Sequence, residues 1–345
     1  MRDQNTRLKI GKLKHDFLAK MLNNFVTDVD IKDKRVIMGS KIGEDAAVID
    51  MGENYLIAKT DPITFATDEI GYYTVNVNAN DVVCMGGTPK WFQSTILLPD
   101  KDTTEDLIEH IFKNIHDTCK SMNITVIGGH TEVTPNLDRP IVIGSLLGEV
   151  EKEKLVLSSG AKPGDALILT KGIFIEGTSI IGREKETDLM AKGYDLAFID
   201  KCKNYLYDPG ISVFKDALLA NKSFKISSFH DPTEGGLACA LAELAIASNT
   251  GILIEREKIQ ILPEPLILSK LYNLNPLNTI SSGSLLIAIE QDKSYELINV
   301  LKKNSIMSEK IGNIAPKKDG LKIKEKDGKM SPLIYSETDE ITKIF

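Results

Sequence analysis

The sequence predicts a two-domain α/β protein, and three observations carry that prediction. Its 345 residues are 42% hydrophobic and 26% charged, enough apolar material for two modest cores. Short apolar runs alternate with helix-periodic segments in both halves. Between the halves, Ala161-Lys162-Pro163-Gly164-Asp165 concentrates turn residues just ahead of a fresh apolar run, which sets the domains at 1–160 and 161–345.

Tyr55 to Lys59 reads as a strand that ends on Thr60-Asp61-Pro62, because proline cannot donate to a ladder. Ile70 to Met85 reads as a helix stopped by Gly86-Gly87, glycine adopting the left-handed C-terminal turn most cheaply. Trp91 to Leu98 follows as a strand. Thr103 and Asp106 have the spacing of a capping box, and Leu107, Ile108, Ile111, Phe112, Ile115, Cys119 and Met122 recur at helical spacing. Thr125 to Ile127 is expected to be a strand leading into a polar turn, Gly128 to Glu132, with Ile141 to Val150 the next strand. In the second half, Ala166 to Leu169 is a strand, and Pro209 is expected at the first turn of a helix running to Ala220, where its missing N–H costs nothing. Ile226 to Phe229 then feeds the polar turn His230 to Gly236 and an Ala-rich helix, Leu237 to Ser248. A strand at Leu285 to Ile289 and an amphipathic helix at Tyr295 to Lys302 follow.

A formal net charge of -7 argues against a nucleic-acid surface, which needs clustered Lys and Arg. No run approaches the roughly 20 apolar residues that span a bilayer. Met1 to Asp16 is rich in charge and lacks the apolar centre of a signal peptide, so a cytoplasmic protein is expected. Cys84, Cys119, Cys202 and Cys239 are far apart in apolar helical segments, the usage of buried, reduced thiols.

Several acids stand where an apolar strand or a glycine turn hands over to polar chain: Asp45, Asp61, Glu132 and Asp231. Each alone fits a turn-forming or capping acid, but strand ends are also where α/β proteins build sites. Asn78 and Asp81, three apart, share one helix face. Carboxylates gathered in one place repel each other and an anionic substrate, so they imply a hard cation between them. Mg2+ fits, because it takes one or two carboxylates plus waters and substrate phosphates. Lys41, Lys59 and Lys171, next to these turns, are candidate phosphate partners, or else surface lysines. His130 and His230 are read either as neutral hydrogen-bonded side chains or as phosphate-contacting, acid-base groups. The P-loop, the Rossmann GxGxxG, HExxH and GxSxG patterns are all missing, so the common nucleotide and hydrolase folds lack support.

In order, GEDAAV from Gly43, AKTDPIT from Ala58, VNANDVVCMGGTP from Val77, IGGHTEV from Ile127, AKPGDALILTKG from Ala161 and DPTEGGLA from Asp231 resemble the aminoimidazole ribonucleotide (AIR) synthase superfamily. That superfamily includes thiamine-monophosphate kinase, selenophosphate synthetase and the hydrogenase maturation factor HypE, and the HypE-like branch is the nearest in pattern. The resemblance implies an N-terminal α/β domain whose strands pair across a homodimer barrel, a C-terminal α/β sandwich, and ATP with Mg2+ between the domains. On it Asp45, Asp61 and Asp81 match acids that ligate metal or position phosphates, Asp231 matches the acid of the second-domain motif, and Thr60 and Asn78 match neighbouring polar positions. The reading built on this expects nucleotide contacts from Lys41, Asp45, Lys59, Thr60, Asn78, Lys171 and Thr233, and reactive positions at His130, Glu132 and Asp231. The activity implied is phosphoryl transfer from ATP to an oxygen of a small or carrier-borne substrate. The alternative is a nucleotide-binding partner of a maturation protein with little catalysis. Two departures from the family pattern stand out. His130 replaces the usual Asp of the Gly-Gly-Asp-Thr motif, and the sequence ends Thr342-Lys343-Ile344-Phe345, without the terminal cysteine on which HypE carries its substrate.

Overall fold

The computed structural model describes residues 13, 15–27, 33–41, 43–64, 68–336 and 338–345, so most of the segment read against a signal peptide lies outside it. Helix α1, His15–Leu22, leads into a π-helical turn, Asn23–Thr27. The first sheet takes β1 Val36–Met38, β2 Ala47–Asp50, β3 Asn54–Ile63, β4 Thr88–Pro99, β5 Thr125–Thr134 and β6 Ile141–Glu151, in the order β1-β2-β3-β6-β4-β5. Pairing is antiparallel except for β4 with β5. Along β6 buried and half-buried residues alternate, the pattern of a sheet with one covered face. Helices α2, Ile70–Cys84, and α3, Glu105–Ser121, cover that face, burying Tyr73, Val75, Ile111 and Ile115 against Ile57, Phe92 and Leu146.

The second sheet contains β7 Ala166–Thr170, β8 Ser228–His230, β9 Gly251–Glu255, β10 Leu286–Ile289, β11 Ser308–Ala315, β12 Leu321–Lys324 and β13 Met330–Pro332, in the order β13-β12-β9-β11-β7-β10-β8. Its helices are α4 Ile175–Glu184, α5 Glu186–Ala191, α6 Leu196–Asn204, α7 Phe214–Ser223, α8 Gly236–Ser248, α9 Pro263–Leu271 and α10 Ser294–Lys303. β7 is buried on both faces. Leu167 and Leu169 pack with α8, whereas Ala166 and Ile168 pack with α7 and α10, as alternation along a strand requires. The result is a mixed α/β fold built on two sheets.

Helix α2 joins the halves. Thirteen of its 15 residues are buried, which a helix covered on one side alone does not achieve. Val83 and Cys84 enter the core of the second half, and the Asn80 amide donates to the Ile211 carbonyl at 2.9 Å while its oxygen accepts from Val213 N at 2.9 Å.

Four local expectations are corrected. β3 continues through Thr60, Asp61 and Pro62 rather than ending at Lys59. β2 stops opposite Ala58, so among the described residues only β6 flanks the strand at Pro62 and no central ladder is broken there. Gly128 to Glu132 is not a turn but part of β5, extended by pairing with Gln93 to Leu97. The α3 cap is Thr104, whose hydroxyl accepts from Leu107 N at 3.2 Å. Thr103 instead donates to the Pro99 carbonyl. Pro209 sits in a π-helical turn, Leu206–Gly210, five residues before α7 begins at Phe214. All four cysteines are buried and free.

Candidate active site

Several backbone segments meet between the sheets around a cavity of about 350 Å³, within the range of small-molecule sites. The loop before β2 brings Asp45. Gly43 in that loop has φ +82°, and a Cβ there would lie 2.8 Å from the Glu243 carbonyl of α8, so only glycine lets the loop settle against that helix. Glu44, beside it, accepts from the backbone N–H groups of Ser158 and Ser159, each at 3.0 Å, and ties the loop to the connection between the halves. Lys59 and Asp61, two apart on β3, share one face, and Asp81 and Cys84, three apart, share a face of α2. His230 ends β8 and Asp231 follows it.

Lys59 Nζ lies 3.0 Å from Asp81 Oδ2 and 3.3 Å from Asp61 Oδ2. Burial opposes its charge, but the Asp81 and Asp61 carboxylates overcome that and raise its pKa, holding it as the ammonium. Asp81 is pushed well above the carboxylate range, by burial first and by Asp231, Asp61 and Asp45, with Lys59 acting against them. Asp231 is pushed up to about 6 by burial and by Asp45. His230 places Nδ1 3.1 Å from Asp45 Oδ1 and Nε2 3.1 Å from Glu243 Oε2. Burial works against its charge too, and the two carboxylates raise its pKa well above the ordinary histidine value. As the imidazolium it donates from both nitrogens. Cys84 Sγ is 3.6 Å from Asp231 Oδ1, and burial and the surrounding acids push the thiol pKa up.

These acids outnumber their cations. Glu44, Asp45, Asp61, Asp81, Asp231 and Glu243 line the cavity, against Lys59, His230 and the exposed Lys41. Asp231 Oδ2 is buried without a hydrogen bond, and Asp81 Oδ2 faces Lys59 at 3.0 Å without the angle of one. The unpartnered Asp231 oxygen costs about 1 to 3 kcal/mol, which a bound cation would recover. The donor set of hard carboxylates therefore fits Mg2+.

The cavity gathers most of the expected residues but not all. Lys41, Asp45, Lys59, Asp61, Asp81, Asp231 and Thr233 line it. Thr60 is not in its lining but in that of a neighbouring cavity that shares Lys41, Asp45 and Lys59 with it, and its hydroxyl donates to the Gly144 carbonyl at 2.8 Å. Asn78 stands behind Asp61, donating to the Asp61 carbonyl at 3.3 Å and to the Thr74 carbonyl at 2.9 Å. A Cβ at Gly144 would lie 2.4 Å from the Asn78 amide nitrogen, so that glycine makes room for it. Lys171 is elsewhere, buried against Asp216 at 3.6 Å and donating to the Ser212 carbonyl. His130 and Glu132 lie on exposed β5, 3.0 Å from one another and outside the cavity. Sequence reasoning missed Glu44, Cys84 and Glu243. Glu44 lay in a quoted motif and Cys84 one turn from Asp81. Glu243 had no signal within its helix.

A second cavity of about 210 Å³ shares Asp61 and Thr233 with the first. Ile63, Val77, Ile180 and Ile280 form its apolar wall, and Glu176, Glu234 and Ser282 supply polar groups. Burial pushes Glu176 up to about 7, although Ser282 N donates to its Oε2 at 3.3 Å.

Fold and cleft together define a two-domain α/β protein with an acid-lined site between its sheets. Residues 43–150 match the AIR synthase related protein N-terminal domain and residues 162–324 its C-terminal domain, and the chain belongs to this family. It is 28% identical over 313 residues to a Methanocaldococcus jannaschii protein named for hydrogenase expression and formation, covering 87% of this chain and 88% of that one. It is 29% identical over 253 residues to a Bacillus subtilis thiamine-monophosphate kinase, covering 72% and 73%. Among solved structures, the hydrogenase maturation protein HypE in complex with ATP aligns with a TM-score of 0.71 at 17% identity, covering 95% of this chain and 96% of that one. HypE in a HypE–HypF complex aligns with a TM-score of 0.71 at 20% identity, covering 94% and 100%. At these identities the two structures establish the shared fold.

Proposed function

We propose that this chain is an ATP-dependent enzyme that activates an oxygen of a small or carrier-borne acceptor by phosphoryl transfer. The observation that carries the reading is the excess of buried carboxylate around one fixed lysine, with Asp231 Oδ2 buried and unpartnered. HypE in complex with ATP shares the fold, and a thiamine-monophosphate kinase is 29% identical over 253 residues, which supports nucleotide chemistry here. Asp45, Asp61 and Asp81 would hold Mg2+, which, when bound, neutralises charge on the transferred group. Lys59, kept protonated between Asp61 and Asp81, offers an ammonium to phosphate oxygens. The His230 imidazolium fixes the orientation of Asp45. Asp231, raised to about 6, serves as proton acceptor from the substrate near neutral pH. The acceptor occupies the adjoining cavity, shielded from water by Ile63, Val77, Ile180 and Ile280.

We assign the open edge of β5, with exposed Val126, Ile127 and Val133, to a second copy of the chain. His130 and Glu132 lie on that edge, so any part they take in catalysis runs through the paired copy. The chemistry and the free thiols fit a cytoplasmic setting.

Thermal-shift measurements with ATP, Mg2+ and both together test the site, since a ligand bound to the folded state raises apparent stability. The wild type should shift fully only with both. Asp61→Asn should fold normally and lose the joint shift and ATP turnover; unchanged turnover would sink the assignment. A second reading, a HypE-like maturation partner with little catalysis, is favoured by the M. jannaschii relative. Stable capture of a maturation protein without turnover would select it, and sustained product formation from a small molecule would reject it.

A further inference from the structure

We propose that Asp45, Cys84 and Asp231 form a binding site for a thiophilic divalent cation of the Zn2+ class, which shares Asp45 with the hard position among Asp45, Asp61 and Asp81 and, when filled, takes Asp231 out of its role as proton acceptor. One donor atom from each of the three lies within 4.8 Å of the others. A tetrahedral site with metal–oxygen bonds of about 2.0 to 2.2 Å and a metal–sulfur bond of about 2.3 Å has donor separations of roughly 3.3 to 3.8 Å. Closure by about 1 Å therefore completes three corners and leaves the fourth open to water or a substrate oxygen. That is the pattern of a catalytic rather than a structural site.

Two further observations point to a ligand. Asp231 is 3% exposed and its Oδ2 has no hydrogen bond, while Cys84, fully buried, offers Oδ1 only a thiol, the weakest of donors. His230 bridges Asp45 to Glu243, an outer-shell arrangement that fixes a ligating carboxylate. A hard cation gains little from sulfur, whereas Zn2+ binds thiolate well, and Cys84 is what separates this corner from its all-oxygen neighbour. On binding, the thiol proton leaves to solvent and sulfur ligates as thiolate. Asp45 and Cys84 come from the first half and Asp231 from the second, so the cation clamps the two together.

The test uses the full chain stripped of metal by chelator, with Co2+ and Zn2+ as probes and no nucleotide. Co2+ should bind at one per chain and show thiolate-to-cobalt charge-transfer absorption, which Zn2+ abolishes by displacement. Cys84→Ser should lose that absorption and weaken Zn2+ binding by roughly tenfold or more. Cys119→Ser, at a buried thiol on α3 outside the cluster, should keep both. Circular dichroism reports whether each variant folds. If Cys84→Ser does not, Asp231→Asn, which keeps the thiol, should show the same loss of Zn2+ affinity. Wild-type protein without the charge-transfer band, or a band that survives in Cys84→Ser, overturns the proposal. Because Mg-ATP binding is scored separately by thermal shift, failure here leaves the phosphoryl-transfer reading standing, and the reverse holds.

Discussion

Replacing Glu176 by Gln should change the pH dependence of stability in a defined direction. Glu176 is 6% exposed at the start of α4, and burial raises its carboxyl from 4.5 to about 7. In the window between those values the folded state holds a proton that the unfolded state has released, so stability falls as pH rises. Below about 4.5 both states are protonated and nothing is lost. Above about 7 both are ionised and the loss has reached its full size. A shift of about 2.5 units at about 1.4 kcal/mol each gives a loss of about 3 kcal/mol. Gln keeps an oxygen to accept from Ser282 N and cannot ionise. The variant should therefore match the wild type near pH 4.5 and exceed it by up to about 3 kcal/mol at pH 8. Urea unfolding followed by far-UV circular dichroism at pH 5, 6, 7 and 8 measures the difference. A wild-type-minus-variant gap that is constant across that range would refute the reasoning, because it would mean that Glu176 has the same pKa in both states.

Three further outcomes are expected. Asn80→Ala strands the Val213 N–H and the Ile211 carbonyl at the junction of the halves, and should cost about 1 to 3 kcal/mol by denaturant unfolding, with Asn80→Asp no substitute because it lacks the donor. Gly43→Ala sets a Cβ 2.8 Å from the Glu243 carbonyl at a φ of +82°, and should lower the melting temperature and weaken nucleotide binding by calorimetry. Ile127→Lys puts a charge on the open edge of β5 and should convert a dimer to monomer by light scattering. A wild type that is already monomeric would remove that interface from the account.

The motif series was legible without coordinates because it is local. A glycine turn marks Asp45 and the end of β8 marks Asp231, and these features depend on chain neighbours alone. Strong elements were legible for the same reason: α3 carries its apolar stripe in its own periodicity, and β10 is a short apolar run behind Ser282-Gly283. Misreadings fell where pairing overrides propensity. Thr60, Asp61 and Pro62 read as a stop, yet the ladder with β6 carries β3 through them, and Gly128-Gly129 reads as a turn, yet β4 holds it extended. α2 showed its polar positions in the sequence, but not that both halves of the chain would bury it.

By itself the sequence pointed to the family through its ordered motifs and to the two-part α/β layout through its alternating apolar runs, and it singled out acids of which Asp45, Asp61, Asp81 and Asp231 line one cavity. Only the tertiary structure decided which groups share a cavity. It placed Cys84 against Asp231, bridged Asp45 to Glu243 through His230, and set Lys171 and His130 outside. The physical reason is that charge coupling and burial depend on distances between residues more than 100 positions apart in the chain, such as Cys84 and Asp231, and no local pattern encodes those distances.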